Sequence, residues 1–161
     1  GGAGAAWLWA DPETAKDCKP LDVGWFSHAD PFEFDIHHFD YAEGAARFTG
    51  GTPSIAPFAG AAAAHEIINA HGVEAIYAHN QRLLSRLFEA LPQSAFLSST
   101  MQGARGSGAL IKVRDYDAAA AALANAGVGH DTRLGAVRIS VHLYNDENDI
   151  DALVAALDPH L

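Results

Sequence analysis

Val137-Arg-Ile-Ser-Val-His-Leu-Tyr-Asn145, running on into Asp146-Glu-Asn-Asp-Ile150, decides how the C-terminal half of this chain is read. Val137, Ile139, Val141 and Leu143 alternate with Arg138, Ser140, His142 and Tyr144. That is the period of a strand, which sorts its side chains by parity onto two faces, with the apolar set toward a core. The polar set holds a cation, an imidazole and a phenol. It is either a wall that binds an anion or an ordinary solvated face, and parity alone favours the solvated face as the commoner case.

Outward from this stretch, alternation predicts further strands over residues 108–114 and 128–132, with the first stretch covering 136–143. Asp115 is placed to cap a helix that ends at Gly127, and a last helix over 146–157 buries Ile150, Leu153, Val154 and Leu157. Residues 92–161 therefore read as strand, helix, strand, strand, helix, a small C-terminal α+β domain. Before them, Val73, Ile76, Leu83, Leu84, Leu87, Phe88 and Leu91 follow helical spacing, giving a connecting helix over 71–91 closed by Pro92. Gly72 separates it from an Ala-rich helix that enters through Pro53 and Pro57 and runs to about residue 70. Residues 3–10, with Trp7 and Trp9 on one parity, read as a short apolar strand. Residues 11–51 have no sustained period, yet carry too many aromatic residues for a disordered linker.

Composition narrows the function classes. Ten Lys and Arg stand against twenty Asp and Glu, a net charge of −10, which argues against a broad nucleic-acid surface because phosphate binding needs clustered cations. One local anion pocket stays compatible with it. No apolar run approaches the ~18 residues of a membrane span, and the opening residues lack the basic leader of a secretory signal. The single Cys18 excludes an intrachain disulfide and fits a reducing, cytoplasmic setting.

Metal and nucleophile patterns are weak. His65-Glu66 opens like a zinc-protease helix, but Asn69 stands where the second histidine belongs. His37 and His38 are adjacent, so their side chains diverge, and no metal site is expected. Lys16 and Lys19 flank Cys18, whose position on the surface is the simpler account. Gly1-Gly2-Ala-Gly4 lacks the third glycine of a dinucleotide loop. Gly50-Gly-Thr52-Pro53 ahead of a helix is either a phosphate-receiving turn or a plain helix entry. Trp25 carries an N–H that needs a partner when buried, and Arg138 carries a planar fork matched to a carboxylate. Arg105-Gly-Ser107 reads as a tight turn before a strand.

Five segments in order resemble the C-terminal part of the class V, pyridoxal-phosphate-dependent aminotransferase superfamily, and within it the kynureninase-like group. They are Gly1-Gly-Ala-Gly-Ala5, Gly24-Trp-Phe-Ser-His-Ala-Asp-Pro-Phe32, Arg47-Phe-Thr-Gly-Gly-Thr-Pro-Ser-Ile55, Ala104-Arg-Gly-Ser107 and Asp131-Thr-Arg-Leu-Gly-Ala-Val-Arg-Ile-Ser-Val-His-Leu-Tyr-Asn145. The resemblance implies an α/β fold: the edge of a large domain of the type I transferase fold over residues 1–70, then the connecting helix and the small domain. It implies pyridoxal 5'-phosphate as cofactor, with Trp25 and Thr52 on its phosphate, Thr52 across a dimer interface. It implies that Arg138 binds the substrate α-carboxylate and that His28 lies near the substrate. Partners follow as a small amino acid and a homodimeric mate or a complementary N-terminal part, without nucleic acid or membrane.

The resemblance also marks a departure. The family's Schiff-base lysine stands just before the glycine pair, and Lys16, Lys19 and Lys112 are not in that context. With no methionine at its start, the chain is expected to be the portion of an enzyme that follows the lysine, inactive by itself. The implied chemistry is a kynureninase-like lyase or hydrolase reaction or amino transfer. A desulfurase of the usual kind needs a cysteine in the C-terminal half, which has none after Cys18. The competing expectation is a truncated or split module without enzymatic activity that serves dimerisation or regulation.

Overall fold

The computed structural model describes residues 3–101 and 103–161, so the glycine pair Gly1-Gly2 that opens the family-like pattern lies outside the described residues. The chain divides into two units, Gly1–Ile67 and Ile68–Leu161.

In the first unit, residues 3–10 form no strand, contrary to the alternation of their tryptophans. Alternation needs a neighbouring strand to take up the backbone groups; none lies beside this segment, and Trp7 instead meets Phe58 and His65 edge-on, at 5.5 and 5.0 Å between ring centres. Helix α1 (Pro12–Asp17) follows, started by Asp11, whose carboxylate accepts the Thr14 N–H at 2.9 Å, and by Pro12 in the first turn. Six residues are too few to show a helical period, which is why the segment reads as irregular. Two 3-10 turns, Trp25–Ser27 and Gly44–Phe48, precede α2 (Ala56–His71).

Arg47 organises this unit. Its side chain is buried, and it donates from Nε to the Ala42 carbonyl and from Nη1 toward the carbonyls of Ala15, Lys16 and Cys18 at the end of α1. The exposed carbonyls of a helix C-terminus carry partial negative charge, so they receive a cation that has no carboxylate beside it. The ring of Tyr41 lies 5.7 Å from the guanidinium. Apolar burial contributes little by comparison. Among the described residues of this unit the buried apolar side chains are Ala15, Ala42 and Ala61, whereas Trp9, Leu21, Phe34 and Ile36 are exposed.

The second unit has a core. Helix α3 (Val73–Ala90) begins at Gly72, whose φ of 81° favours glycine, and buries Leu83, Leu84 and Leu87. Strand β1 (Gly108–Ile111), helix α4 (Tyr116–Asn125), strands β2 (Asp131–Arg133) and β3 (Ala136–Ser140) and helix α5 (Glu147–Leu157) follow, the order that the sequence predicts. The sheet is antiparallel in the order β1-β3-β2. Val137 and Ile139 of β3 and Ala109 and Ile111 of β1 join Leu123 and the α3 and α5 leucines in one cluster. Arg138 and Ser140 lie on the other, exposed face. Gly108 admits the close approach of β3: a Cβ there would lie 2.7 Å from the Ile139 carbonyl oxygen.

Each strand is shorter than its alternation predicts, for an identifiable reason. Val141 is still bonded, N–H to the Ser107 carbonyl, but Asn145 then folds the chain: its side-chain oxygen accepts the His142 N–H at 3.0 Å and its own N–H donates back to His142 at 2.9 Å. His142 and Tyr144 therefore do not share the face of Arg138. Lys112 and Arg114 leave β1 because their N–H groups bond Ala95 and His160, and Val128 is held at the end of α4 by the Leu123 carbonyl. Asp115 caps α4 through Ala118 N–H, and Asp146 caps α5 through Asn148 and Asp149, whose carboxylate returns to Asp146 N–H.

Arg105 does more than make a turn. It donates to Gln81 Oε1, the Gln81 and Thr100 carbonyls and Ser85 Oγ at 2.6–3.1 Å and lies 4.9 Å from the Phe88 ring centre. Arg105-Gly-Ser107 is thus fastened along α3, with Asn80 and Gln81 bonding Ser107 and Gly106. Arg86 and Asp151 form a bidentate pair, both bonds 2.7 Å, between α3 and α5.

Two measurements check this arrangement. Leu87→Ala, at a fully buried site, is expected to lower urea-unfolding stability by about 2–5 kcal/mol; a loss under half a kcal/mol would contradict the core assignment. Hydrogen bonding by Arg86 holds the Asp151 carboxyl below its usual range. A depressed folded value adds stability above the unfolded pKa and loses it as pH falls through the folded one, so Asp151→Asn should flatten the acid limb of the urea midpoint against pH.

Candidate functional site

Gly24-Trp-Phe-Ser-His28 separates into residues that fasten the backbone and one that is left free. Ser27 is fully buried; its hydroxyl donates to the Thr49 carbonyl at 3.0 Å and accepts the Gly24 N–H at 3.1 Å. Gly24 lies so close to Gly50 that a Cβ would fall 1.7 Å from the Gly50 carbonyl oxygen. His28 is buried beside Phe39, with Nδ1 accepting the Asp30 N–H at 2.9 Å and Nε2 3.3 Å from the Asp40 nitrogen. A neutral imidazole has one acceptor nitrogen, and the shorter contact takes it. Ala42 N–H to Ser27 and Ala29 N–H to Asp40 complete the fastening.

Trp25 remains, two-thirds exposed, one residue from this contact, and Thr52 stands exposed two residues from its other side. No hydrogen bond within the described residues engages the indole N–H or the Thr52 hydroxyl. A Cβ at Gly50 or Gly51 would meet nothing within 4 Å, so the backbone there is open to a ligand. Trp25 and His28 also line one open pocket of about 400 Å³ with Asp30, Phe34, His38 and Phe39. The structure thus brings Trp25, Thr52 and His28 to one region of the first unit.

Arg138 belongs to the second unit. It lines an open depression of about 360 Å³ on the exposed sheet face with Ser98, Gly108, Leu110 and Ser140. Its Nη2 donates to Asp131 Oδ2 at 2.8 Å, and the same oxygen receives Arg133 at 2.8 Å. The Asp131 carboxyl is held below its usual range by the Thr132 N–H and by the charges of Arg133 and Arg138. Asp131 and Arg133 lie within the family-like segment, where no local motif marks them. The signal for them is register: a two-residue turn between 133 and 136 sets Asp131 opposite Arg138.

Among the described residues, no group of three potential metal ligands is found. His65 bonds the Ala61 carbonyl within its own helix, and His38 pairs with Asp40 at 3.1 Å. No helix among the described residues is long and apolar enough to cross a membrane.

Residues 1–153 match the family model described as Aminotransferase class-V. An uncharacterized aminotransferase, YcbU, of Bacillus subtilis (strain 168) is 28% identical over 149 residues, 91% of this chain and 39% of that protein. Among solved structures, a cystine C-S lyase, C-DES, in complex with cysteine persulfide superimposes with a TM-score of 0.72 at 21% identity, over 93% of this chain and 41% of that one. The apo cysteine desulfurase of Thermococcus onnurineus NA1 gives 0.71 at 19% identity, over 89% and 39%. At these identities the structures share the fold, the type I fold of pyridoxal-phosphate enzymes, mixed α/β with a small sheet. The chain spans about two fifths of the length of these relatives.

Pyridoxal 5'-phosphate is the cofactor of the family, and the residues present suit its phosphate: a free indole N–H, a free hydroxyl and two bare glycines. The Gly24–Gly50 contact holds the two segments that carry these groups side by side. Gly24→Ala is expected to raise amide hydrogen exchange in both 24–28 and 49–52, while Gly51→Ala, with open space around it, changes neither. Equal protection in Gly24→Ala would show that the contact does not hold the two segments.

Proposed function

The chain belongs to the class-V aminotransferase family, and on that premise we propose that it is the C-terminal part of a pyridoxal-phosphate-dependent enzyme acting on an amino acid, by kynureninase-like cleavage or by amino transfer. The observation that carries this reading is the imbalance within the first unit, which buries alanines and leaves Trp9, Leu21, Phe34 and Ile36 exposed. Isolated domains rarely leave so much large apolar surface uncovered, and such surface marks an interface. Residues 1–70 are then the edge of the large domain, 71–91 a connecting helix and 92–161 the small domain. The cofactor-bearing lysine lies in the part of the enzyme that covers this surface, and the 161 residues alone are inactive.

Each proposed role follows from the chemistry of the side chain. Trp25 and Thr52 donate to the cofactor phosphate, Thr52 in a homodimer to the partner's cofactor. Arg138 receives the α-carboxylate on a planar fork that a lysine does not offer. His28 acts on the substrate side by fixing the loop that carries Trp25. When bound, pyridoxal phosphate supplies an electron sink for bonds at the α-carbon. The kynureninase-like reading rests on Gly24-Trp-Phe-Ser-His28 and on cysteine content: Cys18 is half-buried at the C-terminal cap of α1, and the second unit has no thiol to attack a substrate sulfur.

Borohydride trapping with pyridoxal phosphate, followed by peptide mapping, tests the assignment on this chain and on an upstream-extended one. A label confined to a lysine in the extension is expected; no label in either would leave a non-enzymatic module. In the extended enzyme, Thr52→Val should weaken cofactor retention, and equal retention would return Gly50-Gly-Thr52 to a plain turn. Arg138→Ala should raise KM on the order of 100-fold, the loss of a charge-assisted pair of bonds. Unchanged KM would remove Arg138 from the carboxylate role.

A further inference from the structure

Asp131 lies directly opposite Arg138 in the pairing of β2 with β3, on the exposed face of the sheet. One of its oxygens, Oδ2, is 2.8 Å from Arg138 Nη2 and 2.8 Å from Arg133 Nη1. The other, Oδ1, accepts the Thr132 N–H at 2.7 Å. Both ends of this carboxylate are therefore occupied. The turn that joins the two strands is as short as a hairpin allows, with Leu134 at φ 55° and Gly135 at φ 74°. Positive φ at both central residues matches the twist of paired strands, and so short a turn fixes the register that sets Asp131 against Arg138.

The result is two cations sharing one anion. A guanidinium has five N–H donors, and the bond to Asp131 uses one of those on Arg138. Arg133 spends a further bond on the Thr132 carbonyl. Arg138 thus keeps donors for a ligand carboxylate, while Arg133 is neutralised in place.

We propose that Asp131 is a specificity-determining residue of the carboxylate site: it orients Arg138 and cancels Arg133, so that the face accepts a substrate bearing one carboxylate and disfavours one bearing a second acidic group. The inference rests on the reading of Arg138 as the α-carboxylate ligand. A second ligand anion approaching Arg133 meets the Asp131 carboxylate, and like charges at that range discriminate by repulsion. Without Asp131 the same face is doubly cationic, which suits an amino acid with an acidic side chain.

The test uses the full polypeptide that carries these residues, with propionate and succinate as probes whose binding is followed by the line broadening of their own proton resonances, a readout that works in every variant. Wild type is expected to bind propionate at least about threefold more tightly than succinate, and equal or tighter binding of succinate by wild type would overturn the proposal. In Asp131→Asn the preference should move at least about tenfold toward succinate, and Asp131→Glu should restore the wild-type ratio. A purely structural role for Asp131 would weaken both probes alike, and an unchanged ratio in Asp131→Asn overturns the proposal. Arg138→Ala separates the two readings. If it binds propionate as wild type does, the carboxylate site is lost and this inference with it. If it abolishes propionate binding while Asp131→Asn keeps the wild-type ratio, only the role of Asp131 falls.

Discussion

Strand β3 has an apolar and a polar face, and the second unit depends on keeping them apart. Val137 and Ile139 are buried among leucines from α3, α4 and α5, while Arg138 and Ser140 stay outside. A slip of one residue would carry a guanidinium into that cluster and two branched side chains into water. The penalty for an unpaired buried cation is several kcal/mol, larger than any surface ion pair returns. Register is therefore fixed by burial first. The Asp131–Arg138 pair follows from it, being half-exposed and too weak to set the register by itself.

The first unit is built on the opposite principle. Its side chains bury little apolar area, and its backbone is ordered by polar groups that reach across the sequence, Arg47 to the end of α1 and Ser27 to Thr49, with His28 fixing the local turn at Asp30. Hydrogen bonds of this kind each contribute modestly and lose most when left incomplete. A unit held this way keeps its local geometry but lacks the hydrophobic term that stabilises an independent domain. Its exposed tryptophan and phenylalanine side chains are what a covering body would bury.

How far the sequence disclosed this follows the same division. The helices of the second half were legible because apolar spacing and capping residues act locally: Asp115 and Asp146 cap the helices predicted for them, and Gly72 separates α2 from α3. Strand ends were not legible, since they are set by competition for backbone groups. Asn145 and its turn remove His142 and Tyr144 from the face of Arg138, and the carbonyl of Ala95 takes the N–H of Lys112. Arg47 and Arg105 were missed as organisers because acceptors that they tie together lie 32 and 24 residues away, which no local pattern reveals. Trp7 and Trp9 misled for the converse reason: alternation is necessary for a half-buried strand, and without a neighbour to pair with it is not sufficient.

The motifs that carried the family resemblance are thus mixtures, and separating them sharpens the functional reading. In Gly24-Trp-Phe-Ser-His28, the glycine, serine and histidine are consumed by backbone contacts, so their presence is explained without any ligand. Arg47 and Arg105 are likewise consumed by carbonyls. What packing and hydrogen bonding leave over includes the indole of Trp25, the hydroxyl of Thr52, the bare backbone of Gly50 and Gly51, and the remaining donors of Arg138. Each suits an oxyanion, the first three in the first unit and the last in the second. On the proposed reading these donors serve anionic groups, while Arg47 and Arg105 are tied to carbonyls of their own chain. A phosphate and a carboxylate are the two such groups that pyridoxal phosphate and an amino acid bring.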